Sequence, residues 1–159
     1  MKKFFLVLGF LALVSTVRVQ AQDKADCLAI IVGPGNSLTD VSKADLDRYF
    51  RADKTKAPDG TKISIIMLDA GRPERDAALR GIYKMAEAEY TDFFVSATFT
   101  GAVAAAPKSF PTPAAVKKYV ATTPGAMGYI RASDADDTVK ILKIGGKAPG
   151  DADYGLKIK

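Results

Sequence analysis

Two short, almost unbroken apolar runs constrain the fold of this chain most. Residues 27–32 read CLAIIV and residues 63–67 read ISIIM. A strand with one wet face alternates apolar and polar side chains, whereas a run this short and this uniformly apolar needs cover on both faces. The first run ends in Gly33-Pro34-Gly35-Asn36 and the second is followed by Gly71, and helix-type patterns follow both. Buried strands separated by helices predict an α/β domain, with helices laid on the faces of a sheet.

The helices announce themselves by their ends. Ser42 with Asp45 has the form of a capping box, with Asp where Glu or Gln is usual. Leu46, Tyr49 and Phe50 follow at helical spacing, so the pattern predicts a short helix over 42–50. Ala57-Pro58-Asp59-Gly60 is a turn by its chemistry. Gly71-Arg72-Pro73-Glu74 reads as a helix entrance, because proline at the first position loses only an N–H without an intrahelical partner. Glu74 and Asp76 add acid to that first turn, and Leu79, Ile82, Tyr83 and Ala86 mark its inner face. A second segment over 87–97 sets Tyr90, Phe93, Phe94 and Ala97 on one side and stops at Phe99-Thr100-Gly101. Residues 102–111 are small or proline-rich and read as a loop. Thr112 and Pro113 then open a helix whose stripe is Val116, Tyr119 and Val120.

Pro124 disfavours helical geometry at Thr123, and Gly125 permits a reversal, so residues 126–130 can run on as a strand. Residues 138–144, TVKILKI, alternate and make the last predicted strand. The stretch 145–159 is open between a final strand and a frayed tail. The pattern is a single α/β domain with a mixed sheet of four to five strands and helices on its faces.

The first residues stand apart. Lys2 and Lys3 precede an apolar stretch over 4–17, interrupted by Gly9, Ser15 and Thr16, and Val19-Gln20-Ala21 offers a cleavage site. This predicts a signal peptide over 1–21, removed after Ala21, with the domain occupying 22–159. The apolar stretch is shorter than the ~20 residues of a transmembrane helix. The expectation is therefore a periplasmic or secreted chain with no membrane insertion after cleavage. Of the 23 basic residues set against 18 acidic ones, Lys2, Lys3 and Arg18 belong to the leader, which has no acid. The remainder carries 20 against 18, a net charge of +2, which excludes a nucleic-acid or anionic-membrane partner argued from overall charge.

Without histidine the chain has no imidazole base and no His-ligated metal. Its one cysteine, Cys27, cannot form an intramolecular disulfide and reads as a buried thiol. No serine, cysteine or lysine sits in a recognisable nucleophile setting, and no carboxylate pair is singled out. An enzyme is the least supported class, and no cofactor is called for. Asp134, Asp136 and Asp137, and Asp151 with Asp153, lack the loop pattern of a calcium site and read as solvated turns. Tyr83, Tyr90, Phe93, Phe94 and Phe99 read mostly as core rather than as a base-stacking platform.

Four blocks carry a resemblance: LAIIVGPGNSLTDVSKADLDRYF, then PDGTKISIIML with the helix entrance behind it, then YTDFF with FTG, then TTPGAMGYI. In content and order they resemble the substrate-binding proteins of phosphate ABC transporters and their short relatives, within the type 2 periplasmic binding proteins. The blocks span residues 28–130. The resemblance implies one lobe of a two-lobed clamshell, mainly the second, with TTPGAMGYI as the return connection towards the first. It implies non-catalytic capture of a small anionic solute, phosphate or another oxyanion, for an ABC permease or a sensor. The alternative is an envelope protein-interaction module that kept the fold and lost solute binding.

In that family the loop after the second strand carries an arginine and then Ser-Gly-Thr at a helix N-terminus, where amide N–H groups and a guanidinium hold the oxyanion. Here Met67 and Leu68 stand at the arginine's place, and Arg72-Pro73-Glu74 replaces Ser-Gly-Thr. Proline removes a donor and Glu74 adds negative charge. The ligand-binding candidates that remain are Gly71, Arg72 and Arg75 at the helix start, with Thr100 and Gly101, beside Thr98, from a second loop. The other reading is that Arg72 is a solvated charge, Arg75 pairs with a nearby acid, and Thr100-Gly101 is an ordinary helix end.

Overall fold

The computed structural model describes Lys24 and residues 26–159; the leader expected over 1–21 lies outside them. The first apolar run forms β1 (Leu28–Val32), with all five residues buried. The second forms β3 (Ser64–Leu68). Between them lie β2 (Asp40–Val41) and α1 (Lys43–Phe50), whose N-cap Ser42 accepts from the Asp45 amide as its sequence predicts. After β3 come α2 (Pro73–Ala78), a π-helical segment (Leu79–Tyr83) and α3 (Glu87–Phe99). Then follow β4 (Lys108–Phe110), α4 (Pro113–Thr122) and β5 (Ala126–Arg131). Thr112 caps α4 by accepting from the Ala115 amide, and Pro113 sits in its first turn.

A five-stranded sheet carries the domain in the order β4-β3-β5-β1-β6, where β6 is Lys140–Ile141. The sheet is mixed, since β3 runs parallel to β4 and β5 while β1 is antiparallel to β5 and β6. β2 pairs with β7 (Lys143–Ile144) in a parallel two-stranded unit. Side-chain alternation separates the two faces of the large sheet. On one face Met67 lies beneath Tyr83 and Tyr90, whose hydroxyls donate to its sulfur at 3.3 and 3.0 Å. Phe50 packs edge-on to Tyr83, which in turn packs edge-on to Tyr90 and Phe94, so α1 and α3 both close on the π-helical segment over this face. On the other face α4 presses close: a methyl added to Gly128 would stand 3.1 Å from Val116 Cγ1.

Three sequence expectations are corrected. The loop over 102–111 contains β4, a three-residue edge strand with two exposed polar positions, too short and too polar to signal itself. The single strand over 138–144 is two, β6 and β7 in different sheets, with buried Leu142 between them donating to Ile30 O at 2.9 Å. Phe99, expected in the core, is 92% exposed. The open question at the C-terminus resolves towards packing. The amide of Leu28 donates to Leu156 O and that of Ile158 to Asp26 O, both at 2.8 Å, and Tyr154, Leu156 and Ile158 are buried. Cys27 is buried at the start of β1, and no helix among the described residues is long and apolar enough to cross a membrane.

Candidate functional site

The C-terminal end of β3 delivers the chain to the head of α2, where Gly71 takes a φ of +83° and Arg72 is the N-cap. No side-chain oxygen caps this helix; Pro73 sits in the first turn and Glu74 follows. Glu74 is only 5% exposed. Its Oε1 accepts from Arg131 Nε and Nη2, at 3.2 and 3.1 Å. Arg131 ends β5, next to β3 in the sheet, and its Nη1 lies 3.7 Å from Asp26. Arg72 Nε stands 3.9 Å from Glu74 Oε2, an ion-pair distance but too long for a hydrogen bond, and both atoms are buried without a hydrogen-bond partner. Two guanidinium groups thus surround one carboxylate that belongs to the chain.

Arg75 points the other way. Its Nε and Nη2 form a two-pronged bond to Glu87 at 2.7 and 2.6 Å, and Nη1 donates to Leu68 O at 2.9 Å. The guanidinium lies 4.8 Å from the centre of the Tyr90 ring. Burial opposes its charge, but the hydrogen bonds and charge of Glu87 outweigh that and hold the guanidinium above its ordinary value. Every nitrogen of this side chain already has work inside the protein, and it is 6% exposed. The pairing with an acid holds, the partner being Glu87 at the start of α3.

Thr100 and Gly101 lie elsewhere. Glu87 opens α3 beside the C-terminal end of β3, as the Arg75 bonds require. The far end of α3 leads into residues 102–107, which border a hollow with Ile63, Ser64, Ile65 and Ile66 at the opposite end of β3. Thirteen residues of helix span ~20 Å. The five candidate residues therefore do not converge: Gly71, Arg72 and Arg75 stand at one end of the sheet, Thr100 and Gly101 at the other. Thr100 is the C-cap of α3, its hydroxyl donating to Ser96 O at 3.0 Å, and Gly101 follows with a φ of +74°. This is the hydrogen-bonding pattern of a helix end.

Two hollows border that second end. One, of about 320 Å³, lies between the loop after β1, the turn at Asp59 and the end of α4 through Pro124 and Gly125. Ser37 donates to Asp59 across it, and that bond with the Thr61 contacts holds the Asp59 carboxyl below its usual range. The other, of about 430 Å³, is walled by Phe50, Ile65, Phe94 and Tyr119. Lys54, Lys62 and Lys108 stand at it, and none of the described residues lining it is acidic. Arg131 and these lysines were not singled out in the sequence. Arg131 could have been, as the charge that closes the apolar strand after TTPGAMGYI; lysines scattered from residue 54 to residue 108 give no such cue.

No protein-family model matches the chain, and no curated protein matches it. Solved structures do. A Clostridium perfringens protein described as a phosphate ABC transporter substrate-binding protein, solved with bound phosphate, superposes with a TM-score of 0.64 at 19% identity, over 80% of this chain and 49% of that one. An ABC-type phosphate transport receptor from Vibrio cholerae gives 0.63 at 19% identity, over 78% and 48%. PstS from Borrelia burgdorferi gives 0.60 at 17% identity, over 78% and 49%. The chain thus has the fold of these binding proteins and spans about half the length of each, as one lobe does.

Proposed function

We propose that this chain is an exported, non-catalytic binding module of the solute-binding-protein type. It takes up a small anionic solute and presents it to an ABC permease or an envelope sensor. The fold it shares with phosphate-binding proteins supports the binding role, and the lack of histidine and of any recognisable nucleophile setting fits a role without catalysis. Inorganic phosphate at the head of α2 is not the solute in this reading. The observation that carries this is Glu74, whose buried carboxylate already sits against Arg131 and Arg72. A phosphate there would meet a fixed negative charge in a poorly hydrated setting, where like charges repel strongly.

Thermal unfolding with and without millimolar phosphate or sulfate tests it, because a ligand that binds only the folded state raises the midpoint. The expected result is no shift for the wild-type chain and a phosphate-dependent rise for Glu74→Ser, which frees both guanidinium groups. A wild-type rise that disappears in Arg72→Ala would overturn the exclusion of phosphate from the head of α2 and leave the binding role standing.

One observation favours the alternative role as an envelope protein-interaction module. Val95 and Phe99, one turn apart on α3, are 65% and 92% exposed. Exposed apolar rows of this kind mark protein contacts when they belong to a larger patch.

A further inference from the structure

The larger hollow lies beside an open stretch of sheet edge. β4 begins opposite Ile66, so Ser64 and Ile65 pair with β5 on one side and face no strand on the other. Phe50 from α1, Phe94 from α3 and Tyr119 from α4 close round this edge, with Ile65 of β3 itself and Val103 of the loop after α3. At about 430 Å³ it falls within the usual range for small-molecule pockets.

The charge around it is one-sided. Lys54 is engaged by Asp45 at 3.0 Å. Lys62 and Lys108 are exposed and have no ion pair among the described residues. Lys108 instead stands over the rings of Tyr119 and Phe110, at 4.8 and 5.3 Å. Two ammonium groups without acids at the mouth of an apolar hollow suit a ligand that is anionic at one end and apolar along its body. An inorganic oxyanion would leave the aromatic walls unused, and a neutral apolar molecule would leave the lysines unused.

We propose that this cavity is a binding site for a small organic anion, a carboxylate or comparable head on an aryl or short acyl body. The body lies against Ile65, Val103 and Tyr119, with the buried Phe50 and Phe94 behind them, and the head meets Lys62 and Lys108. This deepens the binding-module reading by giving the solute a class and a place away from the head of α2.

The test is titration of the protein with phenylacetate and hexanoate, followed by thermal unfolding and by the methyl resonances of Val103 and Ile65. Phenylacetamide serves as the uncharged control and inorganic phosphate as the control without an apolar body. The two organic anions are expected to raise the unfolding midpoint and shift those methyls, while the controls do neither. Lys62→Ala with Lys108→Ala should keep the fold, since neither lysine has a carboxylate partner among the described residues, and weaken binding by about tenfold or more per lysine. An undiminished response in that double variant, equal responses to phenylacetate and phenylacetamide, or none to either organic anion would overturn the proposal. The two failures are distinct: a phosphate response that survives the lysine replacements and vanishes in Arg72→Ala would overturn the cavity proposal and leave the binding-module reading standing, whereas no response to any of these anions would overturn both.

Discussion

At Arg75 a single side chain ties together three parts of the molecule. It stands in α2, grips Glu87 at the start of α3 with two prongs, and donates to the last carbonyl of β3. Two parallel bonds to a carboxylate are stronger and more directional than one, and the ring of Tyr90 beneath the guanidinium adds a cation–π contact. Glu87 is partly exposed, so water screens some of the attraction and the pair is worth less than a fully buried one. Arg75→Ala is expected to lower stability by about 2–3 kcal/mol in urea denaturation. Arg75→Lys should recover little of that loss, because an ammonium cannot make the fork. A loss below about 0.5 kcal/mol, the range of an ordinary surface change, would show that the clip does not hold these elements together. That an acid pairs with Arg75 was one of two readings the sequence left open. Its identity was not legible, since Glu87 is distant along the chain and adjacent only because the π segment returns α3 to the end of β3.

Among the elements, the join between α4 and β5 shows how local chemistry and tertiary packing agree. Pro124 stops the helix, and Gly125 turns with a φ of +77°. A methyl there would lie 2.0 Å from the Lys62 carbonyl oxygen, closer than any side chain can stand. Gly125→Ala therefore combines an unfavourable backbone angle with a backbone clash that no rotamer relieves. It should cost more than about 2 kcal/mol, read as a fall in the chemical-denaturation midpoint; a change within error would mean the turn can relax away from β3. This join was legible because its causes are local. So were β1 and β3, whose apolar runs are continuous, and α1 and α4, whose Ser42 and Thr112 caps lie next to their own helices. β4 was not, because Lys108-Ser109-Phe110 becomes a strand only by pairing with β3. The C-terminal stretch carries a strand-type signal too, since Tyr154, Leu156 and Ile158 alternate, and all three are buried.

For the whole molecule, the described residues form the counterpart of one lobe, and the solute site proposed above lies on that lobe alone. Closure around a solute needs a second jaw, and this chain spans about half of the two-lobed structures it matches. Its candidate residues, Gly71, Arg72 and Arg75 at a helix start with Thr100 and Gly101 from a second loop, were expected to serve one ligand, because the sequence does not show which end of the sheet each loop reaches. The structure separates them, fills the head of α2 with Glu74, and opens its larger cavity at the other end. That end also bears Phe99 on α3 and the exposed alanines that follow, with Ala102, Ala104, Ala105 and Ala106 also lining the cavity. A protein covering Phe99 would thus lie beside any solute in the hollow, as a partner receiving that solute must. Burying such a phenylalanine contributes about 1.5–3 kcal/mol to a contact, or about 10- to 150-fold in affinity. Phe99→Ser should therefore remove an envelope protein that co-purifies with the wild-type chain. It should leave the unfolding midpoint nearly unchanged, because an exposed side chain contributes little to folding. If the wild-type chain isolated from its envelope is monomeric and alone by mass, or if Phe99→Ser retains the same partner, this face is not where the module docks.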